Sequence, residues 1–132
     1  MAVLDDLAAK LVAAGVGVTG TSIFLSAASI LPSGAGPYLT LIETGGVAPT
    51  RVQGSTSATI RPTVQVAARA TTYAAARTMA QNAFNALDGI FNTALSGTTY
   101  VRVGARQSPT DMGMDGAGRW QVVFNVDAER QP

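Results

Sequence analysis

The stretch IRPTVQVAARATTYAAARTMAQNAFNALDGIF, residues 60–91, decides the fold. From Ile60 to Arg69 apolar side chains alternate with polar or small ones. This alternation is typical of a strand with one face on a core, and Pro62 lies near its start, where a missing N–H is tolerated. Apolar residues then recur at helical spacing over about 72–92, which predicts a long helix with Thr71 or Thr72 as its N-cap. A strand that leads directly into a helix is therefore the centre of the domain.

Shorter elements extend outward from this centre on both sides. Residues 3–14 predict an amphipathic helix that Gly15 ends, and its first turn carries Asp5 and Asp6, where the helix dipole favours acids. Further strands are predicted by β-rich or alternating runs at 22–30, 38–43, 99–106 and 119–127, with a short helix as the alternative at 22–30. The resulting order, α-β-β-β-α-β-β, predicts an α+β fold, in which two helices pack on a small, mostly antiparallel sheet. A length of 132 residues fits one domain, residues 1–132.

Two Gly-rich segments are predicted to be loops. Residues 45–58 follow the strand that ends at Glu43, and residues 107–118 join the last two strands. Long loops in compact domains are usually functional, and we expect both to lie at contacts with other protein chains.

The composition argues against an enzyme or a metalloprotein. The chain has no cysteine and no histidine, so thiolate ligands, thiol nucleophiles and the usual general base are absent. No serine lies in a G-x-S-x-G motif. A carboxylate pair among Glu43, Asp111 and Asp115 is the remaining catalytic option, although caps and turns account for most of the acids. We therefore expect no catalytic residue, no cofactor and no metal.

Two motifs match binding signatures only in part. Residues 15–20, GVGVTG, have the letters of a dinucleotide-binding loop, but the predicted helix precedes them and a predicted strand follows, which is the reverse of what the pyrophosphate requires. Residues 111–116, DMGMDG, resemble the start of a calcium loop, but Gly113 and Val122 stand where ligands are needed. We interpret the first motif as a connector and the second as a turn.

Charged residues make up only 13% of the chain, about half the usual share for a soluble domain. Such a surface is weakly protected against association, which indicates that much of it is covered by other chains. The net charge of +1 argues against general nucleic-acid binding. No charge lies between Lys10 and Glu43, but glycine and hydroxyl residues interrupt the segment, so a membrane span is not expected. Asp5 and Asp6 make the start a poor signal peptide, and we expect the protein to be assembled in the cytoplasm of its host.

The order and spacing of several segments resemble a known family. These segments are the Pro-rich turn LPSG at 31–34, the strand end IETGGVAP at 42–49, the strand 62–69 that leads into the helix with Tyr73, and DGAGR at 115–119 before the last strand. Together they resemble the tail terminator proteins of long-tailed bacteriophages over nearly the whole chain. Residues 62–73 are the most specific part of this likeness.

The resemblance implies a structural virion protein of the tail and neck. Such proteins form a ring, a hexamer in the family, at the head-proximal end of the tail tube, where they stop tube polymerisation and offer a docking face to the head connector. DNA is then expected to pass through the lumen without specific binding. The alternatives are a head-completion or stopper protein of the neck and, from a different class, a small ligand-binding or enzymatic α+β domain. Candidate contacts with other subunits or with partners are Arg51, Arg61, Arg69, Arg106, Asp111, Asp115 and Arg119.

Overall fold

A computed structural model describes residues 3–25, 36–45, 47–51, 58–114, 116 and 118–130. Within these residues the elements are α1 (Val3–Ala13), β1 (Ile23–Leu25), β2 (Tyr38–Glu43), β3 (Val47–Arg51), β4 (Ala58–Arg61), β5 (Thr63–Ala70), α2 (Tyr73–Leu87), β6 (Ile90–Leu95), β7 (Thr98–Ala105), β8 (Thr110–Met114) and β9 (Trp120–Arg130). The predicted α+β class, a mostly antiparallel sheet with two helices packed on it, is confirmed. Neither of the helices described here is long and apolar enough to cross a membrane.

The strand predicted around Pro62 is the longest continuous pairing in the sheet. Ile60 lies opposite Arg130 and Thr63 opposite Asp127, so β4 and β5 follow β9 in one unbroken register. Pro62 separates them because it has no N–H to donate, although its carbonyl still accepts from the backbone N–H of Ala128 at 3.0 Å. The sequence pattern therefore predicted this strand correctly, and β4 extends it by two residues toward the N-terminus.

The remaining strands line the two edges of this central pair. On one edge β2 pairs with β5 and β3 pairs with β4, both antiparallel, and β1 joins β2 in parallel. On the other edge β7 and β8 both pair with β9, and β6 pairs with β7. The sheet is therefore built from long antiparallel ribbons that are broken by bulges.

Both helices pack on one face of the sheet and form the core with it. The core face of β5 and β9 consists of the alternating residues that the sequence predicted, and Val66 and Phe124 are fully buried there. Small side chains on α2, among them Ala76, Ala80 and Ala83, let the helix lie close to the sheet. The ring of Phe84 meets that of Phe124 edge-on at 5.7 Å.

The predicted helix over 72–92 is shorter in the structure. Its N-cap is Thr72, which is one of the two residues that the sequence predicted. The hydroxyl of Thr72 accepts a hydrogen bond from the backbone N–H of Ala75 at 3.3 Å. The helix ends at Leu87, and Gly89 follows with a φ of +81°. Ile90 and Phe91, which continue the helical spacing by coincidence, begin β6 instead.

Both predicted loops contain strand structure. Residues 45–58 include β3 and the start of β4, while residues 46 and 52–57 lie outside the described part of the chain. Residues 107–118 include β8, which pairs with β9 across a bulge at Asp111–Met114. In the predicted strand 22–30, Ile23–Leu25 is confirmed and 26–30 lies outside the described residues.

The glycine motif at 15–20 lies between a helix and a strand, in the order that the sequence predicted. α1 ends at Ala13 and β1 begins at Ile23, so no helix N-terminus follows the glycines. The backbone N–H of Val18 instead donates to the hydroxyl of Ser22 at 2.9 Å. The motif is therefore a turn, and it lacks the geometry that cradles a pyrophosphate.

Candidate assembly surface

The face of the sheet opposite the helices, here called the outer face, carries most of the candidate contact residues. On β5 and β9 it presents residues that alternate with the core positions, such as Gln65, Arg69 and Asn125. Small side chains form its floor, since Ala67 and Val123 are buried among their neighbours. This face is therefore polar and contains arginine, as the alternation in the sequence predicted.

One end of the outer face holds a cleft of about 220 Å³, here called the arginine cleft, which is lined by Arg61, Thr63, Arg102, Arg106, Asp127, Ala128 and Glu129. Arg106 Nε donates to both carboxylate oxygens of Asp127 at 2.9 Å. The hydroxyl of Thr63 donates to the same carboxylate at 3.0 Å. Three arginines thus face two acids, and the cleft has an excess of positive charge.

Arg102 was not among the predicted contacts, and its position depends on a glycine. Arg102 lies opposite Glu129 on β9, and Gly104 lies opposite Asp127. A Cβ built on Gly104 would be 3.1 Å from Arg102 Nη2, so the guanidinium lies across the space that the missing side chain leaves. The sequence signal was available, because Arg102 occupies an outer position in the alternation of β7.

Two predicted contact arginines at the other end of the outer face are engaged within the chain. Arg119 is only 8% exposed, and its guanidinium lies 5.1 Å from the ring centroid of Tyr38. Arg69 Nη1 donates to the hydroxyl of Thr40 at 3.3 Å. These contacts hold β2 to β5 and to the start of β9. Any contact that Arg69 or Arg119 makes with another chain must therefore form in addition to these contacts within the chain.

Of the three other predicted contact residues, the structure describes Arg51 and Asp111, both on short strands. Arg51 is the last residue of β3, and its side chain is outside the described part of the structure. Asp111 is exposed on β8, and its carboxylate accepts from the backbone N–H of Gly113 at 2.8 Å. Asp115 is outside the described residues.

Exposed apolar side chains mark two strands that sequence reasoning did not single out. Phe91 on β6 is 63% exposed, and Met112 and Met114 on β8 are 62% and 55% exposed. From the sequence, Phe91 was assigned to the predicted helix because it continues the helical spacing, and the two methionines were assigned to a predicted loop. Both strands line the sheet margin at β7 and β9, where contact with another chain would cover them.

On the helical side of the sheet, one buried polar contact joins α1 to β7. The Asp6 carboxylate is fully buried and accepts from the Tyr100 hydroxyl at 2.6 Å. Burial, together with this hydrogen bond, raises the pKa of Tyr100 well above its ordinary value. The sequence suggested a dipole role for Asp6, but it could not show that a tyrosine 94 residues away closes over it.

The described residues offer little for catalysis or metal binding. Nowhere in residues 3–25, 36–45, 47–51, 58–114, 116 and 118–130 do three His, Cys, Asp or Glu side chains come together. A groove of about 540 Å³ beside α2 is lined by small, hydroxyl and apolar residues such as Val16, Ala75, Thr78 and Met79. It has no ionisable side chain to act as an acid or a base.

Comparisons with known proteins agree with this architecture. The structure is similar to a chain from a solved structure described as the virion of the native gene transfer agent particle, with a TM-score of 0.59 and 20% sequence identity. The match covers 100% of this chain and 87% of that chain, and it shows a shared fold. No curated protein matches the sequence. The profile of the family described as "Bacteriophage tail terminator protein" matches residues 10–131, and this chain therefore belongs to the bacteriophage tail terminator family.

Proposed function

We propose that this protein forms a closed ring at the head-proximal end of the phage tail tube. There it stops tube polymerisation and docks the tail to the head connector. The observation that carries the proposal is the family match, which spans all of the described elements except part of α1. The proposed role is structural and requires no catalysis.

The surface of the molecule supports assembly. Charge is sparse, the outer face is polar, and exposed apolar side chains lie on the strands β6 and β8. Edge strands with exposed backbone groups readily pair with another chain, unless something covers them. A head-to-tail contact between identical chains must either close into a ring or continue as a filament, and a cap that ends a tube has to close. The proposed ring has six copies, a number that comes only from the family resemblance.

Tail length in phage particles tests the proposal. A phage that lacks this gene should assemble tails of irregular, excessive length that fail to join heads, since nothing ends the growing tube. Electron micrographs of lysates should show these tails, and supplying the wild-type chain in trans should restore a single length. Tails of normal length that remain detached from DNA-filled heads would instead favour the neck stopper role.

A purified system provides a second test. Tube protein that polymerises alone gives a broad length distribution, and added terminator should narrow it and be retained at one tube end. Retention along the whole tube, or at the end distal to the head, would contradict the proposed position.

A further inference from the structure

We propose that β8 of one copy docks against the arginine cleft of the next copy, beside Phe91. This contact deepens the proposed ring and rests on it. In this contact, one copy contributes an acidic strand that carries methionines, and the next copy contributes a cationic cleft with an exposed aromatic ring.

The cleft side combines positive charge with an apolar edge. Phe91 on β6 is the register partner of Arg102 on β7, and Arg102 is the partner of Glu129 on β9. The three side chains therefore form one row across the outer face, and Arg61 lies one position beyond the pair Ile60 and Arg130. The buried Nε of Arg61 makes no hydrogen bond to any described residue.

The β8 side carries the complementary groups. The hydrogen bond from the Gly113 N–H holds the carboxylate of Asp111 in a fixed turn, which lowers the entropy cost of pairing it. Met112 and Met114 are more than half exposed, and methionine makes favourable contacts with aromatic rings. An acid with neighbouring methionines thus matches an arginine with a neighbouring phenylalanine.

The two surfaces cannot meet within one chain. Asp111 is the register partner of Val122, and Arg102 is the partner of Glu129, both on β9. Seven residues of extended strand separate those positions, roughly 23 Å. Only a second copy can bring them together, and because the two surfaces differ, the contact is head-to-tail and propagates around a ring.

Charge reversal tests the contact in full-length protein. Arg102→Glu and Asp111→Arg should each weaken self-association at least about tenfold, because each places like charges opposite one another. The double variant should recover most of the loss, since every interface then has a swapped pair. Lys10→Glu is the matched control for Arg102→Glu, because it makes the same change of charge on α1, at the helical side of the sheet. It should leave association unchanged. Sedimentation velocity over a range of concentrations, alone and with tail tubes, measures the effect.

Variants that leave the charges intact provide an independent readout. Phe91→Ala and Met112→Ala remove exposed side chains, so the subunit should remain folded by circular dichroism while its association weakens. The chain has no cysteine, so a Phe91→Cys, Met112→Cys double variant can be cross-linked without background. Any disulfide must join two copies, because the two sites are much farther apart within a chain than the Cα spacing of about 4–7 Å that a disulfide spans. A ladder of cross-linked species that stops at the ring size is the expected result.

The outcomes separate this contact from the proposed function. If the wild type assembles and both single reversals assemble equally well, the contact is wrong while the ring stands. If the wild type stays monomeric at every concentration, alone and on tail tubes, both the ring and the contact fail. If Arg102→Glu changes only the affinity for DNA, the cleft binds phosphate and the assignment to a second copy is overturned.

Discussion

At the scale of single residues, the buried hydrogen bond between Asp6 and Tyr100 joins α1 to the sheet. The Tyr100 hydroxyl donates to Asp6 Oδ2 at 2.6 Å, and Oδ1 of the same carboxylate is buried with no hydrogen bond from any described residue. A carboxylate in this position depends on its single described donor, because a buried charge without partners is costly. The pair therefore couples the position of the helix to the sheet.

Tyr100→Phe should lower the free energy of unfolding by about 2–3 kcal/mol. The ring is retained, so the loss comes from the hydrogen bond to a buried charged group and not from a cavity. Chemical denaturation followed by circular dichroism measures it. Tyr73→Phe is the matched control, since Tyr73 is 42% exposed, and its variant should stay within about 0.5 kcal/mol of the wild type. Equal effects of the two substitutions would show that the Asp6 contact adds nothing to stability.

The same pair predicts a loss of stability at high pH. Burial and the hydrogen bond to Asp6 raise the pKa of Tyr100 above its ordinary value of 10.0 in the folded state. Above about pH 10 the unfolded chain therefore releases a proton that the folded chain retains, and rising pH favours unfolding. The stability advantage of the wild type over Tyr100→Phe should be constant at neutral pH and shrink as the pH passes about 10. Denaturation curves of both proteins at about pH 7 to 11 provide the measurement, and a constant difference throughout would contradict the pKa shift.

At the scale of elements, the sequence correctly predicted the helix and strands whose own residues carry a clear hydrophobic periodicity. The β5 and β9 strands and α2 are long and have one buried face, so their periodicity is strong. The end of α2 was misplaced because Ile90 and Phe91 continue its helical spacing, although Asp88-Gly89 is a turn signal that marks the true boundary. The β8 strand was missed because it is short and mostly exposed, so its pairing with β9 decides its structure.

The candidate surface was predictable in outline only. Alternation along the strand predicts that Arg61 and Arg69 share one face, and both lie on the outer face. The sequence could not show that Arg119 is buried over Tyr38, because that contact joins the start of β9 to β2 through tertiary structure. It also could not bring Phe91 beside Arg102, since that pairing depends on the register of β6 and β7.

The turn between α2 and β6 gives a test at the element scale. Gly89 has a φ of +81° and open space where a Cβ would lie. Gly89→Ala should therefore destabilise the protein by about 1 kcal/mol through backbone strain alone. Gly116→Ala is the control, because Gly116 also has open space around its Cβ position but no left-handed φ, and it should be close to neutral. Thermal unfolding of both variants measures the difference, and similar melting temperatures would show that the α2–β6 turn tolerates an L-residue.

At the scale of the whole molecule, the protein is a structural component of the phage virion, with its role in the tail. Its scarcity of charge fits a subunit whose surface is shared with neighbours. The arginines of the arginine cleft lie near its two acids, whereas Arg69 and Arg119 at the other end of the outer face contact Thr40 and Tyr38. The described part of this face therefore has no uninterrupted cationic stripe of the kind that binds a DNA backbone.

DNA binding tests this charge balance. The wild type should bind duplex DNA no more tightly than about 100 µM at physiological salt, because its few cations are offset by acids. Asp127→Asn with Glu129→Gln removes both acids of the arginine cleft and raises the formal net charge from +1 to +3. This variant should bind at least about tenfold more tightly, with an affinity that falls as salt rises, since Arg61, Arg102 and Arg106 are then free to contact phosphates.

Asp5→Asn with Asp111→Asn reaches the same net charge without altering the cleft and should bind less tightly than the cleft variant. Fluorescence anisotropy of a labelled duplex over a salt series measures all three proteins. Tight, salt-dependent binding by the wild type would show that the cleft acids do not prevent its arginines from binding phosphates.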